Sequence, residues 1–427
     1  MASSARPGPV TRGVKVPNWG PKLSLFQWRE PAFWAFVALM LLCGAGAALW
    51  MLSLLLTSPG GFLLSWLLLL FYLLPMFLII YFLDFYDREP LSLVFAALAW
   101  GMIAATMLSV IGNDQWGAII ARLAGPDFAA TWSAAITAPI VEESFKGIGV
   151  VLIYQIARRE LNDIMDGFVY GAMIGLGFTV VEDVHYFIGA FGGTIGGIIQ
   201  GFFFRVVVSG LYGHVMYTGL VGIGIAYFVT RKGEVSNAKR WLVTLGLIAA
   251  PVFAHFLWDS PLLNLIPPEG TSALLAILLL IATAAIKGLP FLAFLILMLV
   301  LARRRERYWL RKSIEAELGG PGLQPGELPI LMSGKARRRS RDELRQRSGP
   351  AAANLLGQIQ KEQIKLAMVR TRASSPDHPD LQRQRARLQE LRNQLAAVTS
   401  GRPPAGQLGV GGFGQGPGGP PAASPYR

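Results

Sequence analysis

Long apolar runs alternate with short polar connections from residue 31 to about residue 301. Eight runs come close to the roughly 20 residues that cross a bilayer. They lie near 32–56, 62–83, 91–111, 131–156, 164–189, 211–230, 241–260 and 272–301. The pattern predicts an all-α integral membrane protein of about eight transmembrane helices. A further apolar stretch, GGTIGGIIQGFFFRVVVSG at 192–210, carries Arg205 and many glycines. As a ninth span it would break the parity of the others. It is therefore expected to be re-entrant or surface-lying on the outer side, where irregular backbone is buried in protein or wetted.

The ends have a different character. Residues 1–30 contain Pro, Gly and Arg and are expected to be a flexible basic N-terminus. Residues 31–301 form the membrane domain, and 302–350 are expected to be a basic juxtamembrane linker. Spaced Leu, Ile and Val in 351–400 suit a short coiled coil or amphipathic pair. Residues 401–427 are Gly/Pro-rich and expected to be disordered.

Charge orients the spans. Arg6, Arg12, Lys15, Lys22 and Arg29 precede the first. DFYDREP (84–90), ARRELND (157–163), RKGEVSNAKR (231–240) and RRRERYWLRK (303–312) follow spans two, four, six and eight. The other connections, at 57–61, 112–127 and 261–270, hold one basic residue, Arg122. The positive-inside rule then puts both termini in the cytoplasm, and a multi-pass protein of the cell membrane is expected.

Composition agrees. The chain is 53% hydrophobic and 15% charged, against about 25% charged for soluble domains. Its net charge of +13 belongs with cytoplasmic anchoring rather than nucleic-acid binding, so lipid is the expected partner and nucleic acid is not. The single cysteine, Cys43, rules out an intramolecular disulfide and a cysteine-based metal cluster.

The polar residues inside the spans carry the chemistry, because ionisable groups at such depth are costly. Span four holds Glu142, Glu143 and Lys146. Lys146 follows the carboxylates by four and three residues, on their side of the helix. Glu182 and Asp183 lie near the outer end of span five, with His185 just beyond. His214 opens span six, and His255 and Asp259 share a face at the end of span seven. Gly167, Gly171 and Gly175, four apart, suit close helix packing.

Helical rise sets the depths. Glu142 falls about 16 Å and Glu182 about 10 Å below the outer ends of their spans, and His214 and His255 roughly 5–8 Å below theirs. Acids and imidazoles from four helices thus converge on a polar site in the outer half of the bilayer. This inventory suits a metal site with a general base. It suits equally a metal-free site in which a carboxylate activates water and imidazoles hold an oxyanion.

These residues resemble a known family. EESFK (142–146), FTVVE (178–182) and HFLWD (255–259) resemble the EExxxK, FxxxE and HxxxD motifs of the PrsW family of intramembrane proteases, related to CAAX prenyl-protein endopeptidases. DREP, DGFVYGAMIGLGF and GHVMYTGLVG resemble the family's surroundings, and the likeness covers about residues 80–260. It implies hydrolysis of membrane-anchored protein substrates, such as an anti-sigma factor cut on its extracytoplasmic side. It implies Glu142 and Glu143 as the water-activating carboxylates, with Lys146 beside them. Glu182, His214 and His255 would hold a metal or polarise the scissile carbonyl, and Asp259 would orient His255 or help with the oxyanion. Zinc is the candidate ion, and a metal-free glutamate mechanism stays open. Asp183 stands where the family often has Asn.

HExxH and GxGD motifs are absent, and VVSG at 207–210 lacks the first glycine of GxSG. A proton-coupled transporter would also use intramembrane Glu, Lys and His, but the halves show no convincing repeat. A membrane scaffold that recruits partners through its tail is the third alternative.

Overall fold

The computed structural model describes residues 24–400 apart from 85–87, 159, 160, 162, 209–212, 321, 374 and 376. The expected flexible N-terminus up to residue 23 and the expected disordered tail from residue 401 lie outside the described residues. The chain divides into two units, Met1–Leu310 and Arg311–Arg427. The described residues are helical, without a strand.

In the first unit, α1 (Pro31–Thr57) and α2 (Pro59–Leu83) join through a single residue, Ser58. Then come α3 (Leu91–Trp100), a π-helical turn (Gly101–Ala105) and α4 (Thr106–Ala124). After Gly125 follow α5 (Pro126–Ile156) and α6 (Ile164–Ile188). Next are α7 (Ile195–Phe202), a second π-helical segment (Phe203–Val208), α8 (His214–Thr230), α9 (Asn237–Asp259) and α10 (Ala273–Glu315).

Each of the eight predicted runs holds one of these helices, with His214–Thr230 the helix of the run predicted at 211–230. Among the described residues, six helical segments are long and apolar enough to cross a membrane, with α3 to α4 counted as one. The other two are α5, whose 31 residues carry the buried charges, and α8, which has only 17 residues. The stretch at 192–210 contains eight α-helical and six π-helical residues. Their combined length falls short of a hydrocarbon core about 30 Å thick.

The connection expected at 112–127 is mostly not a loop. Helix continues to Ala124, breaks at Gly125 (φ +92°), and restarts at Pro126. Glycine alone adopts that backbone cheaply, and proline suits the first helical position.

α6 is the centre of this unit. Every residue from Ile164 to Val181 is buried. Asp163 caps its start, accepting from the Ile164 N–H, and the Asp166 side chain reaches back to the Asp163 N–H. The predicted glycine spacing does its packing work here. A Cβ on Gly171 would stand 2.2 Å from the Thr218 carbonyl oxygen, and one on Gly175 would stand 2.2 Å from that of His214. Backbone-to-backbone contact of this kind is what small residues permit. It brings α8, and with it His214, against α6.

The second unit is described by itself. α11 (Leu328–Leu331) is short, and α12 (Gly334–Arg372) and α13 (Pro379–Ser400) pack through buried Leu366, Leu381, Leu388 and Leu391. Glu317 pairs with Arg370 and Arg385. The expected linker 302–350 is largely helical, because α10 extends to Glu315 and α12 begins at Gly334. Its Arg, Glu and Lys are good helix formers, and α12 itself is kinked at Gly349 (φ +84°), before Pro350.

Candidate active site

α5 brings three charges into the interior within two turns. Pro139 lies one turn before Glu142 and removes a helical hydrogen bond there. Lys146 is wholly buried. Its Nζ lies 3.0 Å from Glu142 Oε2, 3.0 Å from Glu143 Oε1 and 2.8 Å from His214 Nδ1. The same ammonium sits 3.6 Å from the centre of the Phe178 ring, a favourable cation–π position. A lone buried charge would cost several kcal/mol. Here one cation serves two carboxylates and an imidazole.

The two glutamates differ in outlook. Glu143 Oε2 accepts from Thr218 Oγ1 at 3.0 Å, so both its oxygens are held from the protein interior. Glu142 Oε1 accepts from Asn113 Nδ2 at 3.1 Å, and Glu142 lines the cavity described below. Sequence reasoning missed Asn113, because polar residues 113–115 resemble a loop. The cue was the apolar run resuming after them as AIIARLA.

His214 is the first residue of α8. Its Nε2 lies 2.9 Å from Glu182 Oε2, opposite the Lys146 contact. A lysine ammonium only donates, so Nδ1 accepts and Nε2–H donates to Glu182. This tautomer is assigned from its partners. Arg205, on the second π-helical segment, completes the row. Its Nη2 reaches Glu182 Oε2 at 2.7 Å and its Nε reaches Asp183 Oδ1 at 2.5 Å. Of the two adjacent acids, only Glu182 faces His214. A wide π turn often marks a functional position, and this one aims Arg205 inward.

His255 and Asp259, one turn apart on α9, pair at 3.2 Å through Nε2 and Oδ2. Pro251 lies one turn earlier, as Pro139 does on α5. The imidazole stacks on Tyr217 at 4.9 Å. It stands 4.0 Å from Glu142 Oε2 and 3.6 Å from Glu143 Oε1. The end of α9 is fixed by Lys287 of α10, whose Nζ donates to the carbonyls of Ser260 (2.8 Å) and Trp258 (3.3 Å). Cations near a helix C-terminus satisfy its free carbonyls. Lys287 was also missed, although it is a lone charge in a long apolar run.

These side chains open onto a cavity of about 650 Å³, within the usual range of ligand pockets. Glu142, Glu182, His214, His255 and Asp259 line it. Glu143 and Lys146 stand behind that wall. His185 reaches the same cavity and its ring packs against Trp50.

The donor set was tested for a metal. One donor atom each from Glu142, His214 and His255 come within 4.8 Å of one another. Glu182, expected among the ligands, contacts His214 and Arg205. Two imidazoles and a carboxylate suit catalytic zinc. However, the Lys146 ammonium already sits on Glu142 Oε2 and His214 Nδ1. A divalent cation on those atoms would face a like charge about one ligand distance away. As arranged, the residues hold an ammonium, and a metal does not fit beside it.

The sequence pattern of the PrsW family intramembrane metalloproteases matches residues 89–286. That range contains every candidate residue above except Lys287, which follows its last residue. No curated protein and no solved structure gives a significant match.

Proposed function

With residues 89–286 forming a PrsW family intramembrane metalloprotease domain, we propose that the chain cleaves membrane-anchored proteins in the cavity between Glu142 and His255. The protease class comes from the family. The observation that carries the site assignment is Glu142: a buried carboxylate held by Asn113 and Lys146, yet facing the cavity beside an imidazole.

In this reading Glu142 takes a proton from water as the water oxygen bonds to the scissile carbonyl carbon. A positioned carboxylate is suited to that work. His255, oriented by Asp259, supports the developing oxyanion and then passes a proton to the leaving nitrogen as the C–N bond breaks. As the site resets, Glu142 passes the proton it took from water back to His255, 4.0 Å away, and both regain their starting charges. Lys146, Glu143 and Thr218 keep Glu142 in place. His214, Glu182 and Arg205 keep Lys146 in place.

We further propose that both termini are cytoplasmic and that the cavity opens in the outer half of the cell membrane. The basic connections and the depths of the site residues support this orientation. A cut there suits a membrane-anchored regulator with an extracytoplasmic domain, such as an anti-sigma factor.

The test uses the full chain in nanodiscs with a panel of single-span peptides, read by mass spectrometry. Wild-type protein should give discrete fragments and Glu142→Gln should give none. Equal cleavage by both would remove Glu142 from the reaction.

A further inference from the structure

Two buried polar atoms of α4 have no hydrogen-bond partner among the described residues. Ser109 is 1% exposed, and its Oγ makes no hydrogen bond. One turn on, the Oδ1 of Asn113 is equally unpartnered, although its Nδ2 holds Glu142. Both residues line the catalytic cavity. Buried polar groups are nearly always hydrogen-bonded, so two at one spacing on one wall need an explanation. Neither takes part in the proton transfers above.

From this geometry we infer that Ser109 and Asn113 are a substrate-backbone binding site that holds the segment being cut as an extended strand along α4. The inference rests on the peptidase reading of the same cavity. A membrane-spanning substrate arrives helical, with its backbone groups satisfied internally. Cleavage requires that helix to unwind, which frees N–H groups where water is scarce. Residues four apart on α4 are separated by about 6 Å of rise. On one edge of an extended strand, alternate N–H groups are about 6.6 Å apart. Ser109 Oγ and Asn113 Oδ1 can therefore accept from alternate residues of one strand.

The facing wall supports the same occupant. Ala130, Ala134 and Thr137 of α5 line the cavity with small side chains, which leaves width for those of a substrate. Asn113 also sets the register. Its Nδ2 fixes the water-activating carboxylate while its Oδ1 fixes the substrate, so the bond beside the residue it holds is the one presented to Glu142.

The test replaces single peptide bonds of a cleaved single-span peptide by esters, each removing one N–H. With wild-type protein, KM should rise about three- to tenfold at two positions separated by one insensitive position, the size expected for one lost hydrogen bond. Ser109→Ala should raise KM for the parent peptide by a similar factor, leave kcat unchanged, and abolish sensitivity at one of the two positions. Ser109→Thr, which keeps the hydroxyl, should restore it. Ester effects at adjacent positions, effects nowhere, or an unchanged ester profile in Ser109→Ala would overturn the site. A second arm is independent of turnover. A photo-crosslinking amino acid in place of Ala134, in a Glu142→Gln background, should label a single-span peptide within one short stretch. Labelling without cleavage by wild type would keep the groove and reject the peptidase. Absence of labelling would reject the groove whether or not cleavage occurs.

Discussion

Lys146 Nζ and His214 Nδ1 lie 2.8 Å apart, and this contact joins the two halves of the site. On one side are the paired glutamates of α5. On the other, His214 leads through Glu182 to Arg205. Charge therefore alternates along a continuous row from Glu142 to Asp183. Lys146, with three partners, is the member whose loss disturbs the most neighbours.

Lys146→Met is the most direct test of that row. The Lys146 ammonium holds both glutamates and His214. Breaking a buried pair costs about 3–5 kcal/mol, so the variant should unfold well below wild type in detergent. Adding Glu143→Gln should recover part of the loss. A Lys146→Met protein as stable as wild type would make the row incidental.

The two glutamates should separate kinetically. Glu142→Gln should lower kcat by about 10²–10⁴, the range for a lost general base, with KM close to wild type. Glu143→Gln should act through position and cost less. Single-turnover rates with one cleaved peptide measure both. If Glu143→Gln is the more severe, the base is Glu143.

Metal removal gives a third prediction. With Lys146 in place, a strong chelator should leave cleavage by wild-type protein unchanged. Metal analysis of the purified protein should find less than one zinc per chain. Loss of cleavage on chelation, restored by zinc, would mean that Lys146 leaves its position when the enzyme works.

Gly171→Ala should weaken the molecule without touching a charged group. The added Cβ meets the Thr218 carbonyl at 2.2 Å, and overpacking of this kind costs about 1–3 kcal/mol. Thr218 also holds Glu143, so kcat should fall as well. Thermal unfolding and cleavage assays on the same preparation check both.

The start of α6 should be sensitive to pH. Burial raises the Asp163 carboxyl above its ordinary value, with the nearby Arg305 opposing the rise. The folded chain then favours the protonated form. This stability is fully present below the ordinary aspartate range, about pH 4, and is lost as pH rises through the raised value. Asp163→Asn should flatten that part of a stability–pH curve, measured by unfolding in detergent.

Much of this was legible in the sequence for a physical reason. Charge within an apolar run is conspicuous, so Glu142, Glu143, Lys146, His214 and His255 stood out. Glycines at four-residue spacing revealed how α6 meets α8. What stayed hidden depends on which way polar residues face. Asn113 was taken for part of a connection, because the sequence does not distinguish a polar group facing a cavity from one facing water. Glu182 shares a depth with the histidines, but depth alone does not show its contact with Arg205.

Ile164 to Val181 are enclosed on all sides, so this stretch of α6 has no lipid to match. α1 and α2, with many outward-facing leucines and phenylalanines, do meet the hydrocarbon. A thicker or thinner bilayer therefore strains the rim first, through tilting or local deformation. The helix that carries Glu182 feels bilayer thickness only through its neighbours. The contacts of Glu182 with His214 and Arg205 are thus buffered from changes at the apolar rim.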